Sequence, residues 1–120
     1  MIFDGHAYCF PSLLGSAGFS SREVLWRHLQ QAMATHFQSV WRSRDRAQGD
    51  NAGLIDRSSW SSLEGLKEAH FRAAGLGRFE WTVDGEDYVK QYFPPSITDM
   101  SYSAESLVAE MDYAGVDKAL

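Results

Sequence analysis

Residues 78–93 read Arg78-Phe79-Glu80-Trp81-Thr82-Val83-Asp84-Gly85-Glu86-Asp87-Tyr88-Val89-Lys90-Gln91-Tyr92-Phe93. Two aromatic and β-branched runs with a period of two flank Asp84-Gly85, and only residues tolerant of positive φ fit the tight type I′ turn that such a spacing requires. The pattern predicts a β-hairpin over 78–95. Pro94-Pro95 ends it, because proline has no amide to give to a ladder.

Towards the amino terminus the period lengthens to that of a helix. Ser61 with Glu64 has the form of a capping box and opens a predicted helix with Leu63, Leu66, Ala69 and Ala73 on one face, stopped by Gly75. Earlier still, Ser20 with Glu23 begins a longer predicted helix whose stripe of Val24, Trp26, Leu29, Met33, Phe37, Val40 and Trp41 runs to about Arg42. Residues 42–59 between them are polar and read as a mobile loop. On the carboxyl side, Ser103 caps a predicted helix with Leu107, Val108, Met111 and Ala114 inward and Gly115 at its end, and Val116 to Leu120 starts a strand. Met1 to Phe3 read as a short buried strand that carries Asp4 and His6 to its carboxyl end, where ligands bind in α/β architectures.

The composition excludes several classes. A chain of 120 residues closes one core, and its single cysteine and four scattered histidines supply neither a disulfide framework nor a zinc finger. Its cysteine usage fits a reducing compartment, and the cytoplasm is expected. A net charge of −5 argues against nucleic acid and anionic membrane as partners, since both select a basic face. No stretch reaches the roughly 20 apolar residues of a transmembrane helix, and no basic region precedes the first apolar residues as in a signal peptide.

Asp4, His6 and Tyr8 alternate, so an extended chain projects them to one side as a metal or substrate at a strand end would need. On composition alone an ordinary role is favoured, with Asp4 capping a turn, His6 bonded to a carbonyl and Tyr8 in the core. Cys9 lacks a thiolate-stabilising neighbour and reads as a small buried residue. His28, His36 and His70 share no ligand spacing. Arg42, Arg44 and Arg46 are interleaved with Asp45 and read as a solvated face. The aromatic hairpin either lines a pocket or contact surface or stabilises itself through cross-strand pairs.

Two segments together are similar to a known family. Phe3-Asp4-Gly5-His6-Ala7-Tyr8-Cys9-Phe10-Pro11 resembles the D-x-H-x-H-x-x-P opening of the amidohydrolase-related family, in the branch of aminocarboxymuconate semialdehyde decarboxylase. Residues 104–120, with Met111-Asp112-x-x-Gly115 before Val116-Asp117-Lys118-Ala119, resemble that family's first long barrel helix and its entry into the second strand. The resemblance implies an α/β chain forming the amino-terminal fragment of a (β/α)8 TIM-type barrel. Residues 1–14 would hold the first strand and metal-motif loop, 15–77 a helical insertion, 78–95 the hairpin, and 103–120 the first barrel helix and the start of the second strand. Such a barrel needs about 250 residues, so a fragment, inactive by itself, is expected.

The resemblance further implies metal-assisted hydrolysis or non-oxidative decarboxylation of a small organic substrate. His6 would be a ligand to a divalent metal, zinc above all, and Asp4 the carboxylate that orients its ring. Tyr8 stands where the family has its second histidine, and a neutral phenol is a poorer zinc ligand than imidazole. A metal-free member and a non-catalytic interaction module built on Trp81, Tyr88 and Tyr92 are the alternatives. A small-molecule substrate is the implied partner, with homo-oligomerisation left open.

Overall fold

The computed structural model describes residues 1–5 and 7–119. Its centre is the hairpin, made of β4 (Arg78–Val83) and β5 (Glu86–Gln91), whose turn residues Asp84 and Gly85 have φ of 51° and 79°. Phe79 and Trp81 alternate to the inner face with no solvent exposure, while Glu80 and Thr82 point outward. Two further strands extend the ladder. β2 (Val40–Arg42) pairs antiparallel with β5, and β3 (Arg72–Gly75) pairs antiparallel with β4, giving the order β2-β5-β4-β3.

Helix α1 (Arg22–Thr35) packs on the inner face through Leu25, Leu29 and Met33, spaced four residues apart. Its N-cap is Ser21, whose hydroxyl accepts the Val24 amide at 3.2 Å. The helix stops at Thr35, not near Arg42 as the apolar stripe predicts. His36 turns extended with ψ of 140°, Phe37 is left 87% exposed, and Val40 and Trp41 complete a sheet instead of a helix face.

The predicted helix over 61–75 is also replaced. Only a 3-10 turn, Leu63–Gly65, forms there, with Ser62 accepting the Glu64 amide, and the chain then runs into β3. The apolar residues at helical spacing serve separate partners: Leu66 bridges Ile55, Ala69 accepts the Thr82 amide, and Ala73 pairs with Phe79. Nor is 42–59 a loose loop. Leu54 and Ile55 enter the core, and buried Gln30 donates from Nε2 to the carbonyls of Leu54 and Lys67, at 2.8 Å each.

The β3–β4 connection makes a close demand on one residue. Leu76 and Gly77 both have positive φ, 54° and 76°, and a Cβ at Gly77 would stand 2.5 Å from the Phe93 carbonyl oxygen. Gly77 is therefore fixed by conformation and by space. Gly77→Ala is expected to cost about 2–3 kcal/mol, whereas Gly85→Ala, with positive φ but open space, should cost about 1 kcal/mol. Urea denaturation of the two variants checks the difference, and equal midpoints would contradict the close approach.

The remaining elements are β1 (Phe3–Asp4), α2 (Ala104–Ala114) and β6 (Lys118–Ala119), with β1 and β6 paired in parallel. Ser103 caps α2 by accepting the Ser106 amide at 3.1 Å, and Gly115 closes it in the left-handed region at φ 72°. The Ile2 amide donates to the Asp117 carboxylate at 2.6 Å. Stacking of Phe10 on Phe93, with centroids 5.0 Å apart, and buried Met100 tie this unit to the antiparallel sheet.

This architecture corrects the expectation of a (β/α)8 barrel fragment. The chain is a small mixed α/β domain whose core lies between α1 and an antiparallel sheet, and the parallel pair is two residues per strand. Barrel strands are buried on both faces by helices and interior side chains. Here Phe3 is 54% exposed and α2 buries no residue.

Candidate functional site

The sequence directs attention first to the carboxyl end of β1. Asp4 ends that strand opposite Ala119 and is half-buried. His6, the expected metal ligand, lies outside the described residues. Tyr8 is 69% exposed, and Cys9 is exposed rather than buried. Among the described residues no group of three or more His, Cys, Asp or Glu side chains converges as a metal ion requires. Asp4 and Tyr8 offer one carboxylate and one phenol, short of the three protein ligands of a catalytic zinc site.

The other sequence candidates fall elsewhere. Trp81 lies in the core, stacked on a half-buried Tyr88 at 6.5 Å, and Tyr92 packs against Phe79 at 5.9 Å. Trp81 and Tyr92 are taken up by packing against the core, whereas half-buried Tyr88 also lines a groove of about 600 Å³ beside Arg42 and Lys67. Arg42 is held by Asp45 at 2.9 and 2.7 Å, and this guanidinium, helped by the Ala47 amide, holds the Asp45 carboxyl down at about 2. Arg44 pairs with Glu86 at 3.0 Å, and Arg46 lies 5.8 Å from the Trp41 ring centre. His28 is exposed on α1, and His70 is exposed in the segment before β3, where the Arg72 guanidinium contacts its ring and donates to its carbonyl.

The outer face of the sheet carries a connected polar lattice. Arg72 bonds Glu80 at 2.5 Å and Thr82 at 3.1 Å, and Thr82 donates to Asp87 at 2.6 Å. That hydroxyl, with Arg72 behind it, holds the Asp87 carboxyl below its ordinary range. Ser43 donates to the second Glu80 oxygen at 3.2 Å. Partners within the lattice already engage these groups, which suits cross-strand cohesion better than catalysis.

A groove of about 520 Å³ opens at the end of α1, between residues 36–40 and 48–51. The 3-10 turn Arg57–Ser59 forms its far wall, with Asp56 as the cap. Its floor includes the buried side chains of Val40 and Ile55, and Phe37 and Trp60 line it while remaining 87% and 61% exposed. One group pins both near walls. Lys90 has no solvent exposure and donates from Nζ to the Met33 carbonyl (2.7 Å), the His36 carbonyl (2.6 Å) and Asn51 Oδ1 (3.1 Å). Burial first, and the Lys90 charge second, push the His36 imidazole below its ordinary value. The sequence reading missed this groove. Its one signal is Trp60 within Ser58-Ser59-Trp60-Ser61-Ser62, an aromatic belonging to no apolar stripe.

Compared with protein-family models, curated proteins and solved structures, the chain matches none of them. No helix among the described residues is long and apolar enough to cross a membrane.

Proposed function

We propose that the chain contributes to an amidohydrolase-like enzyme that acts on a small organic substrate by hydrolysis or non-oxidative decarboxylation. His6 would be the contact to a divalent metal, zinc above all, and Asp4 the carboxylate that orients it. The observation in support is the position of Asp4 at the carboxyl end of β1 within a parallel pair, because reacting groups in α/β proteins gather at that end of their strands. The resemblance of residues 3–11 and 104–120 to that family supplies the reaction class. The present residues supply a strand-end carboxylate and a phenol, so further ligands and the general base must come from elsewhere.

Metal content of the purified full-length protein tests this reading. Near-stoichiometric zinc is expected, lost in His6→Ala and weakened by about tenfold or more in Asp4→Asn, the range in which removing an orienting partner acts. A protein without metal, in which His6→Ala changes no ligand binding, would refute it. Activity that survives a chelator would point to a metal-free enzyme of the same class.

A further inference from the structure

The groove at the end of α1 presents two large aromatic side chains to water from a backbone that is held in place. Phe37 follows His36, whose carbonyl is fixed by Lys90 and whose ring packs against Phe37 at 4.8 Å and Tyr92 at 5.1 Å. The Trp60 carbonyl accepts the Gln31 side-chain amide at 3.2 Å, and the turn before it is capped by Asp56, which accepts the Ser58 amide at 2.9 Å. Gly65 lies so close beneath that a Cβ there would meet Ser59 at 2.6 Å. Burying an aromatic face against a ligand is favourable, so rings left exposed on fixed supports form a pre-organised contact.

The polar lining defines the ligand's chemistry. Gln38 and Gln48 bring whole amide side chains, Asn51 brings the NH2 of an amide whose oxygen accepts from Lys90, and Asp50, one oxygen of which accepts the Ala52 amide, and Arg57 bring one negative and one positive charge. The groove therefore has no net charge to select an ion, but it has many donors and acceptors suited to hydroxyl groups. A pyranose ring matches both features: its C–H face stacks on the electron-rich face of an aromatic ring, and its hydroxyls bond to planar amides and carboxylates. The volume falls within the range of small-ligand sites.

We infer that this groove binds a neutral saccharide of one or two hexose rings, stacked on Trp60 or Phe37 and hydrogen-bonded to the amide side chains that line the groove with them. The site is separate from the β1 end and does not depend on the metal-assisted reading given above.

Titration of the ¹⁵N-labelled full chain with cellobiose, maltose and lactose, followed by amide and indole resonances, tests the inference. At least one disaccharide should give saturable shifts confined to residues 36–40, 48–51 and 57–60, with a dissociation constant in the millimolar range or tighter. Trp60→Ala and Phe37→Ala should each weaken binding by roughly tenfold, while Trp60→Phe, which keeps a flat ring, should retain most of it. Both positions are exposed, so the variants are expected to keep wild-type spectra elsewhere. Absence of saturable shifts with all three sugars would overturn the inference. So would binding that survives Trp60→Ala, or benzoate occupying the groove when the sugars do not.

Discussion

Trp81→Ala is expected to remove about 3–5 kcal/mol of folding stability, the cost of emptying a large buried aromatic site. A domain of this size has about 5–15 kcal/mol in all, so the variant should be close to unfolded at 37 °C. Trp81 has no solvent exposure, lies opposite Tyr88 in the ladder and stacks on it, and its ring lies 3.7 Å from where a Cβ would stand at Gly53. The surrounding space is thus bounded by backbone and by another ring, neither of which collapses easily into a void. Far-UV circular dichroism during urea denaturation measures the loss without relying on tryptophan emission. Trp81→Phe should recover more than half of it. A loss below about 1 kcal/mol in the alanine variant would be incompatible with a side chain at the centre of the core.

The same hairpin shows what could be read from sequence. Asp84-Gly85, Ser103 and Gly115 act through their own backbone or the nearest amides, and the local signal was sufficient for each. The failures occur where partners are distant in sequence. Leu66, Ala69 and Ala73 repeat at helical spacing, yet the chain there gains more by pairing with Ile55 and β4. The turn that makes this pairing possible begins with Leu76 at φ 54°, and leucine gives no warning of positive φ. Val40 and Trp41 continue the stripe of α1 by coincidence of spacing, and their β-branched and aromatic character suits β2 equally well.

The barrel expectation failed for a related reason. The two segments that resemble the amidohydrolase-related family do meet, as the parallel β1–β6 pair, but the intervening residues build the main core themselves. Leu54 and Ile55, hidden within a polar stretch, belong to that core or close to it. As for function, Asp4 was legible as a strand-end carboxylate. The α1 groove was not, because its walls come from three separate segments joined by Lys90.

Lys90 lies on the inner face of β5, opposite Phe79 and Val40, and its ammonium meets the carbonyl end of α1. It acts as a cationic cap supplied by a neighbouring strand, three donors matched to three oxygens. Lys90→Ala leaves two main-chain carbonyls and the Asn51 oxygen without this donor and empties the space of the stem, so a loss of about 3–5 kcal/mol is expected. Lys90→Met keeps the volume and should lose less, about 1–3 kcal/mol. The pH dependence separates charge from packing. Burial pushes the Lys90 pKa down to about 8 from its ordinary 10.5. Between those values the unfolded chain binds a proton that the folded chain has released, so this group makes stability rise with pH from about 8 to about 10.5. Groups common to both proteins cancel when the denaturation curves of wild type and Lys90→Met are subtracted at each pH. The difference should therefore widen in favour of the wild type across that window. A difference that stays constant would mean that the ammonium keeps its ordinary affinity for the proton, with the three oxygens compensating fully for lost water.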